Sequence, residues 1–378
     1  MPGFEIINYK EAQAINNLFK KEKGILFAHG FDKIRKKYHV RELEKLFCKK
    51  INCKYSLAVS SGTAAIKIAL LALGVKKGDE VITQSFNFIA TIEAILDIGA
   101  KPVIANIDHS LNICPHDIEK LITKKTKVLL PVHMLGVPVD MDPIMKLARK
   151  YKLKVLEDNC EAFGATYKKK FLGTIGDAGV MSLDFGKIIT CGEGGVIHTN
   201  SKKIDKFCRE YHDHGHENNV NRPRGRDTRS IYGFNYRMTE MQGVIAKEQL
   251  KKINYIISKN RLRYNLLQKN ISSKIKLRKI PKKSKIIYDT FIFFVDNASK
   301  RQKIIKILSN LKIGTKNLPD AIEWHCSFYW NHMLKKDQLN RCKKSRDLLK
   351  KAIAIPIYLN RNLKDYNKLV KSINLCFK

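Results

Sequence analysis

The chain has 378 residues, 44% hydrophobic and 28% charged, enough length and apolar content for two domains with their own cores. Its formal net charge of +37 raises nucleic acid or an anionic surface as a partner. The basic residues are spread along the whole length, with no basic stripe interleaved with aromatics, no zinc-finger spacing and no RNP-like segment. Nucleic acid is therefore not expected, and a non-catalytic polyanion-binding or regulatory protein is the weaker reading. Nine cysteines at irregular spacing, without a C-x-x-C pair, fit a reducing cytoplasm. No signal-peptide core and no apolar run of transmembrane length is visible, so the expectation is a cytoplasmic protein with no membrane partner.

In chain order, residues 1 to about 55 read as an arm and a helix, the latter at "VRELEKLFCKK" with its apolar residues at helical spacing. Strand-like and helix-like stretches then alternate: "SLAVSS" and "TAAIKIALLAL", "EVITQS" and "ATIEAILDIG", "KPVIANI" and "CPHDIEKLI", "KVLLPVHM" and "MDPIMKLARKY", then "LKVLEDN". Pro115 falls where a first helical turn tolerates it. This rhythm predicts a mostly parallel sheet covered by helices on both faces. Short strands follow at "AGVMSLDF" and "GGVIHTN". After about residue 245 the pattern shifts to Lys-rich helix, strand-like "YDTFIFFV" and mixed helix. The expected domains are therefore 1–245 and a smaller 246–378.

Three segments carry candidate chemistry. In "SSGTAAIKIAL" a strand ends and a helix begins, so free backbone N–H groups, with the hydroxyls of Ser61 and Thr63, can receive a phosphate. An ordinary N-cap is the plainer reading of that segment alone. In "VLEDNCEAFGA" Glu157 and Asp158 close an apolar strand at the edge where open α/β sheets bind ligands. Asp158 can hold a cationic ring nitrogen or simply cap the next helix. In "SLDFGKIITCGEGG", Lys187 follows Ser182 and precedes Gly192, Gly194 and Gly195. Its amine can form a Schiff base, or snorkel at a strand end.

Together the three supply what pyridoxal phosphate needs: a phosphate cradle, a carboxylate for the pyridinium and an amine for the aldehyde. With "GDEVITQSFNFIAT", "PVHMLGVPVDMD" and "GFNYRMTEMQ", they make the chain resemble the DegT–StrS family of sugar aminotransferases. That resemblance implies a fold-type I architecture, α/β in class: a large three-layer αβα domain with a mostly parallel sheet, and a smaller C-terminal α/β domain. It implies that Lys187 forms the Schiff base and moves protons, and that Asp158 keeps the pyridine nitrogen protonated. It places Phe88 against the ring, and Gly62, Thr63, Ala64 and Ser182 around the phosphate. Asn235 in "GFNYR" resembles the residue that reaches the phosphate from a neighbouring subunit, which implies a homodimer with composite sites. Two departures stand out. Glu161 occupies a position where the family usually has Gln or His beside the cofactor, and a carboxylate there perturbs the proton balance of the lysine. "TQSFNF" lacks the usual proline. A related branch has histidine at position 187 and dehydrates its sugar, so Lys187 argues for transamination.

The stretch "YHDHGHENNVNRPRGRDTRS" alternates His212, His214 and His216. A polar loop is preferred to a metal site, and no metal is expected. His214, with Arg222 and Arg229 among the four arginines that follow, can meet an anionic substrate; a solvated loop is the equal alternative. The resemblance implies glutamate as amino donor and a keto-sugar of cell-surface polysaccharide or lipopolysaccharide biosynthesis as acceptor. The opening "MPGFE" and the patch "EWHCSFYW", with Trp324, resemble a narrower branch that makes 8-amino-3,8-dideoxyoctulosonate. A nucleotide-linked keto-deoxysugar is the alternative acceptor.

Overall fold

The computed structural model describes residues 3–30, 34–219 and 221–377. Of the "MPGFE" opening, Met1 and Pro2 lie outside these residues, as does Val220 in the histidine–arginine stretch. The first strands are β1 (Tyr55–Val59), β2 (Glu80–Gln84), β3 (Lys101–Ala105), β4 (Thr126–Leu130) and β5 (Lys154–Asp158). A short ribbon, β6 (Thr166–Tyr167) and β7 (Lys170–Phe171), precedes β8 (Ala178–Ser182) and β9 (Gly195–Thr199). The main sheet has the order β1-β9-β8-β5-β4-β2-β3. β9 runs antiparallel to β1 and β8, and the remaining pairings are parallel. The expected mostly parallel sheet is present.

These strands are apolar on both sides because both sides are covered. Along β5, Val155 packs into the core on one face and Leu156 into the core on the other. Val180 and Met181 of β8, and Val128 and Leu129 of β4, divide in the same way. This alternation decides which of two adjacent acids can serve a ligand, since successive side chains leave a strand on opposite faces. Asp158 shares the face of Leu156, and Glu157 that of Val155.

Three helices set the frame of the N-terminal part of the chain: α1 (Tyr9–Lys21), α2 (His39–Ile51) and α3 (Gly62–Ala72). α3 follows β1 after one turn and is buried along most of its length. α2 lacks a side-chain cap of its own. Glu240 supplies one from far along the chain, accepting from the N–H groups of His39 at 2.6 Å and Val40 at 3.2 Å. That carboxylate begins the long helix Glu240–Asn270, which runs without a break through position 245. It packs on α1 and α2 near its start and on the helix Leu363–Leu375 near its end.

The second half carries β10 (Lys276–Leu277), β11 (Ser284–Lys285, paired with β6), β12 (Thr290–Phe294) and β13 (Ala352–Pro356). β10, β12 and β13 form a small antiparallel sheet. Phe291 and Phe293 face its own helices, while Ile292 and Phe294 join the core of the large sheet. Among the described residues, no helix is long and apolar enough to cross a membrane.

Candidate active site

A cavity of about 480 Å³ opens at the carboxyl ends of β1, β2, β4, β5 and β8. The turn after each strand contributes a wall. Gly62 and Thr63 follow β1, Phe88 and Thr91 follow β2, and Val132 and Met134 follow β4; Asp158, Cys160 and Glu161 come from β5, and Ser182, Asp184 and Lys187 from β8. The C-terminal part of the chain adds Asn317 and His325. Of the cofactor contacts expected from the sequence, Gly62, Thr63, Phe88, Asp158, Glu161, Ser182 and Lys187 therefore meet around one space. Ala64 stands just behind, its N–H donating to Ser61 Oγ at 3.0 Å.

Lys187 sits in a turn that its own neighbours shape. Its N–H donates to the Asp184 carbonyl, and Asp184 in turn accepts from Gly186 N and donates its N–H to Ser182 Oγ. The side chain is 12% exposed, and its Nζ lies 3.8 Å from Glu161 Oε1. Burial works against the charged amine, but Glu161, then Cys160, Asp184 and Asp158, outweigh it and raise the Lys187 pKa above its usual value. Burial likewise opposes the Glu161 carboxylate. Lys187 and then Lys316 and His325 reverse that, and with the Leu135 N–H they bring Glu161 down to about 2. Leu135 holds a left-handed conformation (φ 47°) that aims its N–H at Glu161 Oε2, 3.2 Å away.

Asp158 is 3% exposed. One carboxylate oxygen accepts from Cys160 N at 3.0 Å and the other from Thr91 Oγ1 at 3.2 Å. Among the described residues, no cation comes within ion-pair distance of it, so a buried acceptor pair is held in place with Lys187 acting on it only from farther off. Glu157, its neighbour in sequence, is spent elsewhere. It accepts from the N–H groups of Gly173, Ile175 and Gly176 and lies 3.2 Å from His133 Nε2. His133 Nδ1 accepts from Val139 N, so its proton is on Nε2 and donates to Glu157.

At the start of α3, Ser61 Oγ takes the Ala64 N–H and leaves the N–H groups of Gly62 and Thr63 without an intrahelical partner. A Cβ on Gly62 would lie 2.9 Å from Ser182 Cβ and close this recess. Phe88 keeps 43% of its surface exposed and its ring stands 5.3 Å from that of His325. His325 Nδ1 contacts the Ala321 carbonyl at 2.8 Å, which fixes the proton there and leaves Nε2 as an acceptor 4.0 Å from Glu161 Oε1. Burial lowers the His325 pKa, against the pull of Glu161. The donor recess, the buried carboxylate, the exposed aromatic face and the buried amine suit pyridoxal phosphate.

The remaining expected residues stand outside this cavity in the single chain. Asn235 is exposed, on a segment tied to the end of β1 by the Val59–Arg237 bridge. His214 is exposed in a left-handed turn (φ 54°). Arg222 lines a separate cleft of about 330 Å³ with His29, Arg41 and Arg224, and Arg229 is exposed beside His216. His212, His214 and His216 diverge, and among the described residues no group of three or more His, Cys, Asp or Glu side chains is gathered as for a metal. Trp324 is 59% exposed, next to His325 but outside the wall, whereas Trp330 is buried at 1%. Thr91 and Asn317 were not singled out as site residues from the sequence, and His325 only as a member of the aromatic patch that could meet the substrate. Thr91 lies within the "NFIAT" segment and His325 within "EWHC", but which side chains turn inward is a tertiary matter.

Comparison with known proteins supplies a family and a fold. Residues 28–374 match the DegT/DnrJ/EryC1/StrS aminotransferase family. The chain is 36% identical over 282 residues to a GDP-perosamine synthase of Escherichia coli O157:H7, covering 74% of this chain and 75% of that protein. Its fold is similar to that of an aminotransferase from Psychrobacter cryohalolentis, with a TM-score of 0.84 and 27% identity over 98% of this chain and 97% of the other. The Bacillus subtilis protein ntda, solved with bound cofactor PMP, gives a TM-score of 0.82 and 26% identity over 98% of this chain and 82% of that one. The chain belongs to the DegT/DnrJ/EryC1/StrS aminotransferase family, with the fold-type I architecture and the pyridoxal-phosphate dependence of its sugar aminotransferases.

Proposed function

We propose that the chain transfers an amino group from glutamate to the carbonyl of a nucleotide-linked keto-sugar, working as a homodimer with composite sites. The observation that carries the reaction type is the amine of Lys187, buried in the cavity between Glu161 and the recess at the start of α3. The support for the substrate class is the 36% identity to a GDP-perosamine synthase. The octulosonate reading has less support among the relatives. It keeps one specific observation in its favour: both segments that carried it reach the site, Gly3 and Phe4 against the Lys187 turn and His325 in the cavity wall.

Pyridoxal phosphate, when bound, supplies an aldehyde for the amine and a ring that accepts an electron pair. The protein's own residues do the rest. Gly62 and Thr63 N–H groups with the Thr63 and Ser182 hydroxyls bind the phosphate. Asp158, steadied by Thr91 and Cys160 N, places negative charge against the ring nitrogen and keeps it protonated. Phe88 covers a ring face. Lys187 Nζ takes a proton from one carbon and returns it to another. Glu161 favours the charged form of that amine in the cofactor-free chain, and the amine gives up that proton before it acts as a base; His325 Nε2 faces the same space as an acceptor. Asn235 extends from one protomer towards its partner's phosphate recess.

The test is a half-reaction. Enzyme loaded with pyridoxamine phosphate is offered nucleotide-linked keto-sugars and, separately, the oxidised octulosonate, and the return of the lysine-bound cofactor's absorbance is followed. Return with nucleotide-linked sugars supports the proposal. Return with the octulosonate alone replaces it by the second reading, and return with neither removes both.

A further inference from the structure

The turn that carries Lys187 is braced from outside by a segment far from it in sequence. Gly3 packs against the turn so closely that a Cβ there would lie 2.5 Å from the Lys187 carbonyl oxygen and 3.1 Å from the Ile188 carbonyl. Real Cβ atoms do not approach so near. Gly3 itself has ordinary helical angles (φ −57°, ψ −48°), which any residue can adopt. Its lack of a side chain is therefore demanded by the close approach and not by the backbone conformation. The next residue, Phe4, stacks on Phe185 with ring centroids 4.9 Å apart and planes at 21°. Phe185 is two residues before Lys187 in the same turn.

A brace works only if it is fixed elsewhere, and this one is fixed at three places. Glu5 accepts from Leu359 N, in the C-terminal part of the chain, at 2.6 Å. The Ile6 carbonyl accepts from Lys252 Nζ, on the long helix Glu240–Asn270, at 2.7 Å. Asn8 then caps α1 in a reciprocal capping box with Glu11, and Glu11 also accepts from Gln249 and Lys252. The anchors belong to the segment at Leu359, the long helix and α1, none of which is part of the Lys187 turn. Phe185 is 61% exposed, so without Phe4 its ring would have little to rest on.

We propose that Gly3 and Phe4 are positioning residues for Lys187: they hold the 184–188 turn against anchors in the rest of the fold and so fix where the reacting amine points. This rests on Lys187 being the reacting lysine, not on the identity of the sugar. A displacement of about 1 Å at a reacting group can cost on the order of 100-fold in rate. Gly3→Ala forces such a displacement, since either the segment or the turn must move.

The experiment compares the parent, Gly3→Ala, Phe4→Ala and Phe4→Tyr as full-length chains. Amide hydrogen exchange of the peptide spanning 183–190 is read with and without cofactor. The cofactor-loaded enzymes are then compared in kcat, KM and the pH midpoint of the lysine-bound absorbance. Gly3→Ala should exchange faster in that peptide, move the midpoint, and lose kcat by roughly 10- to 100-fold with KM for the sugar within about twofold. Phe4→Ala should do the same more mildly, and Phe4→Tyr, which keeps the stacked ring, should restore the parent values. Unchanged exchange and unchanged kcat per cofactor-loaded site in Gly3→Ala would overturn the proposal. So would a loss accounted for entirely by a smaller folded fraction, or a Phe4→Tyr variant as impaired as Phe4→Ala. The cofactor-free exchange needs no substrate, so a failed sugar panel leaves this result standing. Cofactor trapped on another lysine would remove the functional reading while the exchange data still report on the brace.

Discussion

Lys187 Nζ and Glu161 Oε1 are 3.8 Å apart, with side chains only 12% and 4% exposed. Neither charge is easily kept there alone, and each moves the other's proton affinity away from what burial dictates. A neutral Gln or His at position 161, the family's usual choice, would remove the largest of the charges that oppose burial at the cofactor-free lysine and leave only the smaller pulls of Cys160, Asp184 and Asp158.

Glu161→Gln tests this pairing through pH. In the folded chain Glu161 is held at about 2 against an ordinary 4.5, so its contribution to stability is present above about pH 4.5 and is lost as pH falls towards 2. Lys187 is raised, so its contribution is present below 10.5 and is lost as pH rises through its higher folded value. In cofactor-free protein the variant should show a flatter acid limb in melting temperature against pH. Its Lys187 should also react with an amine-directed reagent at lower pH than the parent's. Superimposable pH profiles would mean that the pair is not coupled.

Lys187→Ala should abolish covalent attachment of the cofactor and lower kcat by at least about 10²–10⁴-fold, the usual range for losing a positioned acid–base group. Non-covalent cofactor binding should survive, because the recess at Gly62 and Thr63 is untouched. Borohydride reduction of the parent followed by peptide mapping checks the assignment, and label on a different lysine would refute it.

Asp158→Asn keeps the shape and, with its oxygen towards Cys160 N, the contact from that N–H; its amide nitrogen donates to Thr91 Oγ1 instead of accepting from it, and the charge is removed. We expect a fall in kcat on the order of 100-fold or more with most of the cofactor retained, as when a group aimed at developing charge is removed. Steady-state rates normalised to bound cofactor decide it; near-parental turnover takes Asp158 out of the mechanism.

The composite-site reading predicts complementation. Lys187→Ala and Asn235→Ala homodimers should each be inactive. After subunit exchange, a heterodimer has one site with both residues intact, so a 1:1 mixture should recover about a quarter of the parental activity. No recovery, with exchange verified by a tag, would mean that each site is built from a single chain.

The two tryptophans of "EWHCSFYW" should separate cleanly. Trp330 is fully buried and its indole N–H donates to the Glu323 carbonyl at 2.9 Å. Trp330→Ala should cost roughly 3–5 kcal/mol in denaturant unfolding. Trp324 is largely exposed, so Trp324→Ala should change stability by no more than about 0.5 kcal/mol, and any effect should fall on KM for the sugar. A large stability loss in Trp324→Ala would reassign it to the core.

By itself the sequence determined the class of fold and which turns gather at one edge of the sheet. Strand–helix alternation demands a covered parallel sheet, and such a sheet collects the turns after β1, β5 and β8 at one edge, which is why Gly62, Asp158 and Lys187 were legible as a set. The preference for Asp158 over Glu157 rested on the family resemblance; its physical reason is the two-residue period of β5, which in a sheet with both faces covered sends Glu157 to a structural loop and Asp158 to the cavity. The sequence did not reveal what arrives from a distance. His325 and Asn317 enter the wall because the small sheet shares its core with the large one, and Gly3 reaches Lys187 because the long helix and the segment at Leu359 anchor it. Local spacing encodes what a strand and the turn after it present, whereas contacts between residues more than a hundred positions apart exist only once the layers have packed.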